Sequence, residues 1–405
     1  MSHSRAYLQS HSHISFKVDL RDATPTVWTL LGEAKSKSQH VARALLSPQA
    51  ASELLTVYLT KGLLATTAIE GNTLSEEEVR RVLDDTSDLP PSREYLEREI
   101  KNVLDAYNVA REELFENPSL PFSVDRIREY NRLILKGLDL EEGVVPGRIR
   151  SHSVVVGSYR AAPAEDAEYL LARLCEWLNG GDFDAPRDAP RLAAPLAIVK
   201  AVVAHLYIAW IHPFGDGNGR TARLLELQIL LAAGFPVPTC QLLSNHYNQT
   251  RTEYCRQLAL SSRKPDGLPG FLGYAAQGFV DQLKEQLAVI WEQQFEDRWT
   301  QFVHQSFGGR SSATDLRRLR LVLDVSRSFH STREPVAKRA IPDLTPRLAA
   351  AYAAKTEKTL TRDLNAIKAM GLLRREQGGW APVDEAIRGL QPPAVDGVLW
   401  DGSPP

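Results

Sequence analysis

The chain has 405 residues, with 48 Lys and Arg against 50 Asp and Glu, so its formal net charge at pH 7 is only −2. A balance this close excludes an argument for nucleic-acid or acidic-ligand binding from overall charge, so any such argument must be local. The length predicts two or three domains. Cys175, Cys240 and Cys255 are odd in number and lack CxxC spacing, which argues against structural zinc and favours a reducing compartment, the cytoplasm.

The N-terminal segment, residues 1–13, is rich in His and Ser and contains no apolar stretch of the kind found in secretory signals. We expect a disordered tail there, and metal binding by His3, His11 and His13 is the alternative. The longest apolar run, Leu192 to Ile211, is interrupted by polar residues. It predicts a core helix rather than a membrane span.

Twelve consecutive residues after that run, His212 to Arg223, read HPFGDGNGRTAR. Gly215, Gly217 and Gly219 alternate with other residues, so the backbone can take positive φ and point several N–H groups at one spot. The following segment, TARLLELQILLAAG, has helical periodicity. A backbone nest that opens onto a helix N-terminus is typical of a phosphate site.

Four charged or titratable side chains of this stretch fit a polyphosphate. Arg220 and Arg223 lie three residues apart in the first turn of the predicted helix, where the macrodipole disfavours cations, so they need an anion. Asp216 offers the hard oxygen ligand that a substrate-bound Mg²⁺ requires. His212 lies just ahead of the nest and can reach a proton near its contents. Each element alone also has a purely structural interpretation, but the joint pattern favours an active site.

A misplaced acid lies far upstream. Ser47 and Pro48 predict the start of a helix, and Gly71 fits its C′ position. Glu70 then falls in the last turn, where the macrodipole disfavours an acid. A position that breaks a local rule is where a function or a specific partner is expected.

The stretch from His212 to Arg223 resembles, without departure, the HPFx(D/E)GN(G/K)RxxR signature of the Fic (filamentation induced by cAMP) family. Most members of that family transfer AMP from ATP to a protein hydroxyl. The resemblance implies that His212 is the base that deprotonates the target hydroxyl, which then attacks the α-phosphate. Doc-type relatives, which phosphorylate their targets, have Lys where this chain has Gly219, so nucleotidyl transfer is favoured.

The same resemblance implies the contacts to the nucleotide. Asp216 would hold Mg²⁺, and Arg220 and Arg223 would hold the β- and γ-phosphates of ATP. The anion hole would be formed by Gly217, Asn218 and Gly219.

Residues 66–72, TTAIEGN, resemble the (S/T)xxxE(G/N) inhibitory motif of Fic proteins that carry their inhibitor N-terminal to the catalytic core. The motif starts at Thr66, and its glutamate is Glu70. In the family this glutamate pairs with the second active-site arginine, here Arg223, and prevents productive binding of the γ-phosphate. An ordinary surface glutamate is the alternative.

A β-type run at Ser153 to Val156 falls where the family carries a β-hairpin flap. The flap holds the target segment by adding a strand to its edge, so Val154, Val155 and Val156 would contact the target. A hairpin that merely covers the core is the alternative.

Fic proteins tend to place adenine contacts in the segment that follows the catalytic helix. Tyr247 or Tyr254 would then stack on the base. Tyrosines of the core or surface, without contact to the nucleotide, are the interpretation that the sequence favours.

The composition changes near the C-terminus. Between Arg310 and Glu376 there are fifteen Lys or Arg and seven Asp or Glu, an excess of eight basic residues. Helices are predicted at 312–329, about 334–341 and 355–370, followed by a short hairpin at 372–382. This order resembles a winged helix, in which residues 355–375 would contact DNA phosphates through Lys355, Lys358, Arg362, Lys368, Arg374 and Arg375. A protein-interaction or dimerisation module is the alternative.

We therefore predict a mainly α-helical chain, with a Fic-type helical bundle, a small β-hairpin flap and a winged-helix-like α+β domain. The expected segments are a disordered tail at 1–13, an N-terminal inhibitory region at 14–116, a catalytic core at 117–273, a connecting helix and linker at 274–308, the winged-helix-like domain at 309–388, and a second disordered tail at 389–405.

The predicted activity is that of a protein adenylyltransferase held low by Glu70. It would use ATP and Mg²⁺ and act on a Tyr, Ser or Thr hydroxyl of a target protein or of itself. A cytoplasmic homodimer without membrane attachment is expected. Two alternatives stay open. One is a DNA-binding regulator whose Fic core senses nucleotide, and the other is an enzyme that removes AMP from modified proteins, with Glu70 positioning the attacking water.

Overall fold

The computed structural model describes residues 5–19, 24–157, 159–263 and 267–388. It divides into two compact units, residues 1–287 and 288–405. Helices dominate both, as predicted. The tail predicted at 389–405 lies outside the described residues.

The first unit consists of helices and one hairpin. Its helices are α1 (Tyr7–Ser10), α2 (Pro25–Ala42), α3 (Pro48–Ala68), α4 (Glu76–Leu83), α5 (Glu94–Glu116), α6 (Val124–Ile134), α7 (Ala164–Leu178), α8 (Ala193–Ile211), α9 (Asn218–Ala232), α10 (Leu242–Gln249), α11 (Arg251–Ser261) and the first part of α12 (Gly267–Phe307), and its strands are β1 (Val155–Val156) and β2 (Tyr159–Arg160).

Helix α8 lies in the core of this unit. Fourteen of its nineteen residues are buried, because aliphatic and aromatic side chains occupy all sides of the helix rather than one stripe. By length and composition the segment 190–211 could cross a membrane. However, 72% of its most apolar 18-residue stretch is buried inside the protein, as in the core helix of a soluble domain. Helix α9 packs along α8, so the loop between them, which carries the histidine motif, is held at both ends by the core.

Helix α3 carries the predicted inhibitory motif at its C-terminal end. The side chain of Ser47 caps its first turn by accepting a hydrogen bond from the Ala50 N–H, with Pro48 at the first helical position. The helix ends at Ala68, so Glu70 lies in the turn just beyond it rather than in the last helical turn. Gly71 has a φ of +110°, which closes that turn.

The hairpin that was predicted as a flap is short. Strands β1 and β2 are antiparallel, with Val155 opposite Arg160 and Val156 opposite Tyr159. The predicted run began at Ser153, but only Val155 and Val156 form the strand. Val154 extends the pairing through its carbonyl, which accepts a hydrogen bond of 3.1 Å from the Ala161 N–H.

The tail predicted at residues 1–13 is wrong for residues 5–13, and residues 1–4 lie outside the described residues. Tyr7 is buried, and its backbone N–H donates to Asp166 at 2.8 Å. Arg5 forms an ion pair with the same carboxylate at 3.1 Å. A buried aromatic side chain and two contacts to one acid order this short segment. His11 Nε2 lies 2.9 Å from the Arg160 carbonyl oxygen.

The second unit contains the rest of α12, then α13 (Ala313–Thr332), α14 (Pro346–Tyr352), α15 (Glu357–Ala369), the antiparallel strands β3 (Leu373–Glu376) and β4 (Gly379–Pro382), and α16 (Glu385–Arg388). Its core joins side chains of α12, α13, α14 and α15 to the hairpin. Because Phe295, Trp299 and Val303 of α12 belong to this core, the units divide at 287/288 rather than at the expected linker near residue 308.

The helix predicted at about 334–341 is wrong. Val336 instead forms an antiparallel bridge with Trp380 of β4, and the next helix is α14. Thr345 caps α14 through the Leu348 N–H, and Pro346 occupies the first helical position. The proline and its cap start the helix later than the apolar pattern suggested.

Candidate active site

The loop between α8 and α9 forms a braced nest. Gly217 is the N-cap of α9 with a φ of +75°. The Asn218 side chain closes the loop on itself, since its Oδ1 accepts from the Phe214 N–H and its Nδ2 donates to the Phe214 carbonyl, both at 2.9 Å. Only the backbone of Asn218 is therefore free to face an anion in this arrangement. The backbone N–H groups at the start of α9 have no intrahelical acceptor, as an anion site requires.

Asn131 of α6 supports this loop from outside and was missed in the sequence. Its Nδ2 donates to the Asp216 carbonyl at 2.9 Å, and its Oδ1 accepts from the Gly147 N–H at 2.9 Å. A Cβ on Gly217 would approach Asn131 Nδ2 at 2.9 Å. The conformation of the nest thus depends on the close approach of Asn131 to Gly217. Because the two residues are distant in sequence, no local pattern predicts this contact.

His212 ends α8 in a left-handed conformation, with φ 48° and ψ 61°. Such a conformation is uncommon outside glycine and places the imidazole where the chain turns toward the nest. Burial and the nearby Arg150 guanidinium lower the pKa of His212 to about 4, against smaller opposing effects from the Ala209 backbone, Glu70 and Asp216. The imidazole is therefore neutral at physiological pH and can accept a proton.

Arg223 is held by the inhibitory motif. Its Nε donates to Thr66 Oγ1 and its Nη2 to the Thr66 carbonyl, both at 2.8 Å. The same Nη2 lies 2.6 Å from Glu70 Oε1. The Arg223 side chain is only 1% exposed, whereas 32% of the Glu70 side chain is exposed. The two residues that violate the helix-dipole preference therefore meet each other, as the resemblance implies.

The electrostatics of this pair favour the charged forms. Burial raises the pKa of Glu70, but attraction to Arg223 and its hydrogen bond, with smaller effects of Arg220 and His212, lower the pKa below the usual value of a carboxyl group. Burial lowers the pKa of Arg223, but Glu70 and, to a smaller extent, Tyr254 together raise it above the usual value of an arginine. The Glu70 carboxylate therefore occupies the Arg223 guanidinium, the group that a bound phosphate would contact.

Arg220 is engaged by two acids. Its Nη2 lies 3.2 Å from Asp216 Oδ1, and its Nη1 lies 3.1 Å from Glu99 Oε1 of α5. Glu99 also accepts a hydrogen bond of 2.8 Å from Asn72, which directly follows the inhibitory turn. The Nε of Arg220 is buried and has no hydrogen-bond partner among the described residues. Glu99 was missed, because an acid in an ordinary sequence context carries no signal, and the quoted motif, which ends at Asn72, did not predict this contact.

Gly219 lies between the two charged groups of the inhibitory contact. A Cβ built on Gly219 would overlap Glu70 Oε1 and would lie 3.0 Å from Arg223 Nη1. A glycine at this position leaves room for the Glu70 carboxylate at the N-terminus of α9.

The tyrosines expected to stack on adenine are wrong for that role in this structure. Tyr247 is fully buried, and its hydroxyl donates to Glu226 Oε1 at 2.9 Å. Tyr254 is 4% exposed and stacks on Tyr247 with ring centroids 4.7 Å apart. Its hydroxyl lies 2.8 Å from His205 Nε2. Both rings are committed to the core, which leaves no exposed face for a base.

The flap places its valines at the surface. Val155 and Val156 are 55% and 48% exposed, and Val154 is half-buried. An exposed apolar pair on a two-stranded hairpin is compatible with an added strand from another chain.

Asp216 is the residue expected to hold Mg²⁺. Its side chain is 45% exposed, next to the nest. Among the described residues there is no group of three or more His, Cys, Asp or Glu that could hold a metal. Mg²⁺ bound with substrate phosphates needs only one or two carboxylates and completes its shell with water, so a single exposed carboxylate beside the anion nest fits this ion.

In the second unit, most of the predicted basic residues are exposed. Arg374 differs from the rest, because it is half-buried and its guanidinium pairs with Glu376 and Glu385. The exposed ones are Lys355, Lys358, Arg362, Lys368 and Arg375.

A glycine nest at a helix N-terminus with two buried arginines beside it has the geometry and charge that suit a polyphosphate. The sequence model of the Fic/DOC family matches residues 121–230. Over those residues the chain is similar to the Fic/DOC family.

The chain is also similar to curated proteins. It is 32% identical over 197 residues to protein adenylyltransferase fic-1 of Caenorhabditis elegans, covering 49% of this chain and 35% of that protein. It is 32% identical over 180 residues to protein adenylyltransferase Fic of Nematostella vectensis, covering 44% and 39%. The chain thus spans little more than a third of the length of these relatives.

Two solved structures resemble the fold. A Fic family protein from Desulfovibrio desulfuricans G20 superposes with a TM-score of 0.53 and 20% identity, covering 88% of this chain and 92% of that one. At this identity the likeness shows the fold alone. Fic-1 from C. elegans, residues 134–508, gives a TM-score of 0.53 with 25% identity, covering 65% and 72%.

Proposed function

We propose that this chain is a protein adenylyltransferase that moves AMP from ATP to a Tyr, Ser or Thr hydroxyl of a target protein or of itself, and that Glu70 holds this activity low. The observation that carries the proposal is the contact between Glu70 and the buried Arg223 at the mouth of the glycine nest. An acid in the turn that follows α3 lies where the predicted γ-phosphate contact would form. The adenylyltransferase relatives support the reaction type.

In the proposed reaction, neutral His212 takes the proton of the target hydroxyl. The hydroxyl oxygen forms a bond to the α-phosphorus of ATP, and the bond from that phosphorus to the bridging oxygen of the β-phosphate breaks. The products are the AMP-modified target and pyrophosphate. The pKa of His212, about 4, supports its role as a base, because the ring is uncharged before the reaction.

The nest and the arginines would hold the nucleotide. Backbone N–H groups of Asn218 and Gly219 would face the phosphates, with Arg220 and Arg223 as the cationic contacts. The Gly217 N–H donates to the Asp216 carboxylate in this structure and would join them once Asp216 turns to Mg²⁺. Asp216 would hold Mg²⁺, which supplies charge neutralisation for the phosphates. The unpartnered, buried Nε of Arg220 supports an anion at this place.

Inhibition would follow from competition for Arg223. The Glu70 carboxylate and the γ-phosphate cannot both occupy the space beside its Nη2. Nucleotide would then bind without the geometry that transfer requires, and transfer needs Glu70 to move away. Movement is plausible on physical grounds, because Glu70 lies in a turn and a third of its side chain is exposed.

The target segment would pair with the flap formed by β1 and β2. Exposure of Val155 and Val156 supports this docking mode, which depends on backbone pairing more than on particular side chains.

The test uses ATP labelled at the α-phosphate, with Mg²⁺, and compares wild type, Glu70→Gly, the near-isosteric Glu70→Gln, and Glu70→Gly combined with His212→Ala. We expect low labelling in wild type, high labelling in Glu70→Gly, an intermediate level in Glu70→Gln because a neutral amide holds Arg223 less tightly, and none in the double variant. Equal labelling with and without His212 would reject the proposal.

Removal of AMP is the alternative that the partly exposed Glu70 carboxylate favours, since it can position a water molecule. A pre-labelled target distinguishes the two reactions. Loss of label in wild type, together with its retention in Glu70→Gly, would support the hydrolase instead.

DNA binding by the second unit is a further proposal, supported by the exposed basic residues of α15 and the hairpin. Helix α15 would act as the recognition helix of a winged helix. Arg362 and Asn365 are both exposed on α15 and are residue types that read guanine and adenine, respectively. Fluorescence anisotropy of labelled duplex DNA tests this, and an unchanged anisotropy at low salt would reject it.

We also propose a cytoplasmic homodimer. The three cysteines are all free, and Cys255 is exposed, which suits a reducing compartment. Light scattering of the purified chain tests the dimer, and a fluorescent fusion tests the location.

A further inference from the structure

Arg150 lies just before the flap and is bonded to backbone carbonyls on two sides. Its Nε donates to the His212 carbonyl at 2.6 Å, and its Nη2 lies 3.2 Å from the Ile211 carbonyl oxygen. Its Nη1 donates to the His152 carbonyl at 2.6 Å, and Nη2 also donates to the Ala162 carbonyl. One guanidinium thus joins the end of α8 to both ends of the flap.

The backbone reinforces the same junction. The Arg150 N–H donates to the Pro213 carbonyl at 2.9 Å, and Ile149 forms an antiparallel bridge with Phe214. The Ala162 N–H is directed at the Trp210 carbonyl at 3.3 Å. The segments that enter and leave the flap are therefore both attached to residues 210–214, the stretch that contains His212.

Arginine is suited to this position for two reasons. Its planar fork can reach four acceptors at once, which an ammonium group cannot do in a fixed plane. The carbonyls of Ile211 and His212 end α8, where the macrodipole is negative and a cation is stabilised. Arg150 is 5% exposed, and the carbonyl oxygens that it contacts, together with the more distant Glu165 carboxylate, favour its charged form.

We propose that Arg150 is a positioning residue that couples the flap to the base: its guanidinium fixes the left-handed turn at His212 and the two ends of the hairpin in one arrangement, so that a hydroxyl held by the flap lies within reach of the imidazole. This inference rests on the proposed transfer reaction. Among the described residues Arg150 has no hydrogen bond to Gly217, Asn218 or Gly219, which would face the phosphates, or to Arg220 and Arg223, so its role concerns the target hydroxyl and the base rather than ATP.

A His residue with positive φ supports this assignment. The conformation costs energy and persists only where surrounding contacts enforce it. The bond from Arg150 Nε to the His212 carbonyl is one such contact, and the lowering effect of Arg150 on the pKa of His212 agrees with their proximity.

The experiment is made in the Glu70→Gly background, with Arg150→Lys and Arg150→Gln as variants and Arg148→Gln as the control. Arg148 is exposed, lies two residues away, and has no side-chain hydrogen bond or ion pair among the described residues. Three quantities are measured: the maximal rate of self-labelling, the affinity for a fluorescent ATP analogue, and hydrogen exchange of peptides covering residues 152–162 and α9.

We expect both Arg150 variants to lower the maximal rate by on the order of 100-fold. The reason is that the His212 imidazole and the target hydroxyl would no longer be aligned for proton transfer. Affinity for the analogue and exchange in α9 should match the control. Hydrogen exchange of the amides in residues 152–162 should accelerate in both variants, because neither Lys nor Gln can bond to all four carbonyls at once.

Three outcomes would overturn the inference. Rates like those of the control would show that the fork is dispensable. A parallel fall in nucleotide affinity, with faster exchange in α9, would show general loss of structure rather than positioning. Unchanged exchange in residues 152–162 would show that Arg150 does not hold the flap. Absence of labelling in the Glu70→Gly parent would reject the proposed function instead, and the exchange measurement would still decide whether Arg150 anchors the flap.

Discussion

The Glu70 carboxylate reaches the first turn of α9 because residue 219 has no side chain. A Cβ on Gly219 would overlap Glu70 Oε1, while the other close atom, Arg223 Nη1, lies 3.0 Å from the Cβ position. The glycine that favours nucleotidyl transfer on family grounds is therefore also a requirement of the inhibitory contact. This dual role gives the inhibitory pair a test in stability alone.

The effect of Gly219→Ala on the free energy of unfolding should differ between wild type and the Glu70→Gly variant. In Glu70→Gly it should stabilise the fold by about 0.5–1 kcal/mol, because alanine restricts the unfolded chain and favours the helix. In wild type the methyl group displaces Glu70 from Arg223, so the gain should be cancelled or reversed. Urea unfolding of the four proteins measures this cycle. Additivity within about 0.5 kcal/mol would contradict the contact.

Thermal shifts with ATP and Mg²⁺ should differ between wild type and Glu70→Gly. Ligand that binds only the folded state stabilises by mass action, and removal of the competing carboxylate strengthens the γ-phosphate contact. We therefore expect a larger rise in melting temperature for Glu70→Gly at the same nucleotide concentration. ADP, which lacks the γ-phosphate, is the matched control and should give similar shifts in both proteins. Equal shifts with ATP would count against competition for Arg223.

The pH dependence of transfer should lack a step near the ordinary histidine pKa. His212 has a pKa of about 4, so its imidazole is already neutral well below pH 6.5. In Glu70→Gly the loss of a nearby negative charge removes one effect that raises this pKa. The acid limb of kcat/KM for ATP should therefore lie near pH 4 or below, down to the pH at which the fold fails. A limb centred between pH 6 and 7 that is not accompanied by unfolding would show that His212 is solvated like a free histidine.

Asp363 should be the main buried charge that stabilises the second unit. Its side chain is 2% exposed, and it accepts from Arg317 and Arg318 at 2.8 Å and from the Tyr352 hydroxyl at 2.9 Å. Asp363→Asn should cost about 3 kcal/mol, because it leaves two arginines without their carboxylate. Asp343→Asn, at an exposed position, is the control and should be close to neutral.

The contribution of Asp363 should also depend on pH. Burial raises its pKa, but hydrogen bonds from Arg317, Arg318 and Tyr352 lower it below the unfolded value of 3.8. Stability from a group with a depressed pKa is fully present above the unfolded value and is lost as the pH falls through the folded value. The difference between wild type and Asp363→Asn should therefore shrink only below about pH 4, as denaturant unfolding at several pH values would reveal.

Arg362 and Arg374 should contribute unequally to DNA binding. Arg362 is exposed without an ion-pair partner among the described residues, whereas Arg374 is paired with Glu376 and Glu385. Arg362→Ala should reduce the slope of log K against log salt by about 1, the effect of one lost phosphate contact. Arg374→Ala should change the slope less. Equal reductions would mean that Arg374 leaves its acidic partners when DNA binds.

Much of the site could be predicted from the sequence because its parts are covalent neighbours. Residues 212–223 contain the base, the nest and both arginines, so helix periodicity and glycine spacing suffice to place them together. The partner of Arg223 was predicted only through the family resemblance. The helix-dipole preference identified Glu70 as an unfavourably placed acid. It could not predict that Glu70 pairs with Arg223, which lies 153 residues further along the chain.

Other features could not be predicted in this way. The bond between Glu99 and Arg220, the four acceptors of Arg150 and the burial of Tyr247 all join residues distant in sequence. The periodicity of apolar residues does not predict such contacts. A tyrosine in a helix fits the same apolar periodicity whether its ring faces a ligand or the core. The predicted disorder of residues 5–13 failed for the same reason, because the acid that orders them lies in α7.

By itself, the sequence determined most of the helices, the residue types of the His212 loop and the glycine that admits Glu70, because these depend on local backbone preference and on residue type. The tertiary structure decided which charges meet. It brought α3 against α9 through helix packing, and it joined the base of the flap to the end of α8 through hydrogen bonds. The physical reason is that the pairing energy of two charges depends on their separation in space, which only the packed fold sets.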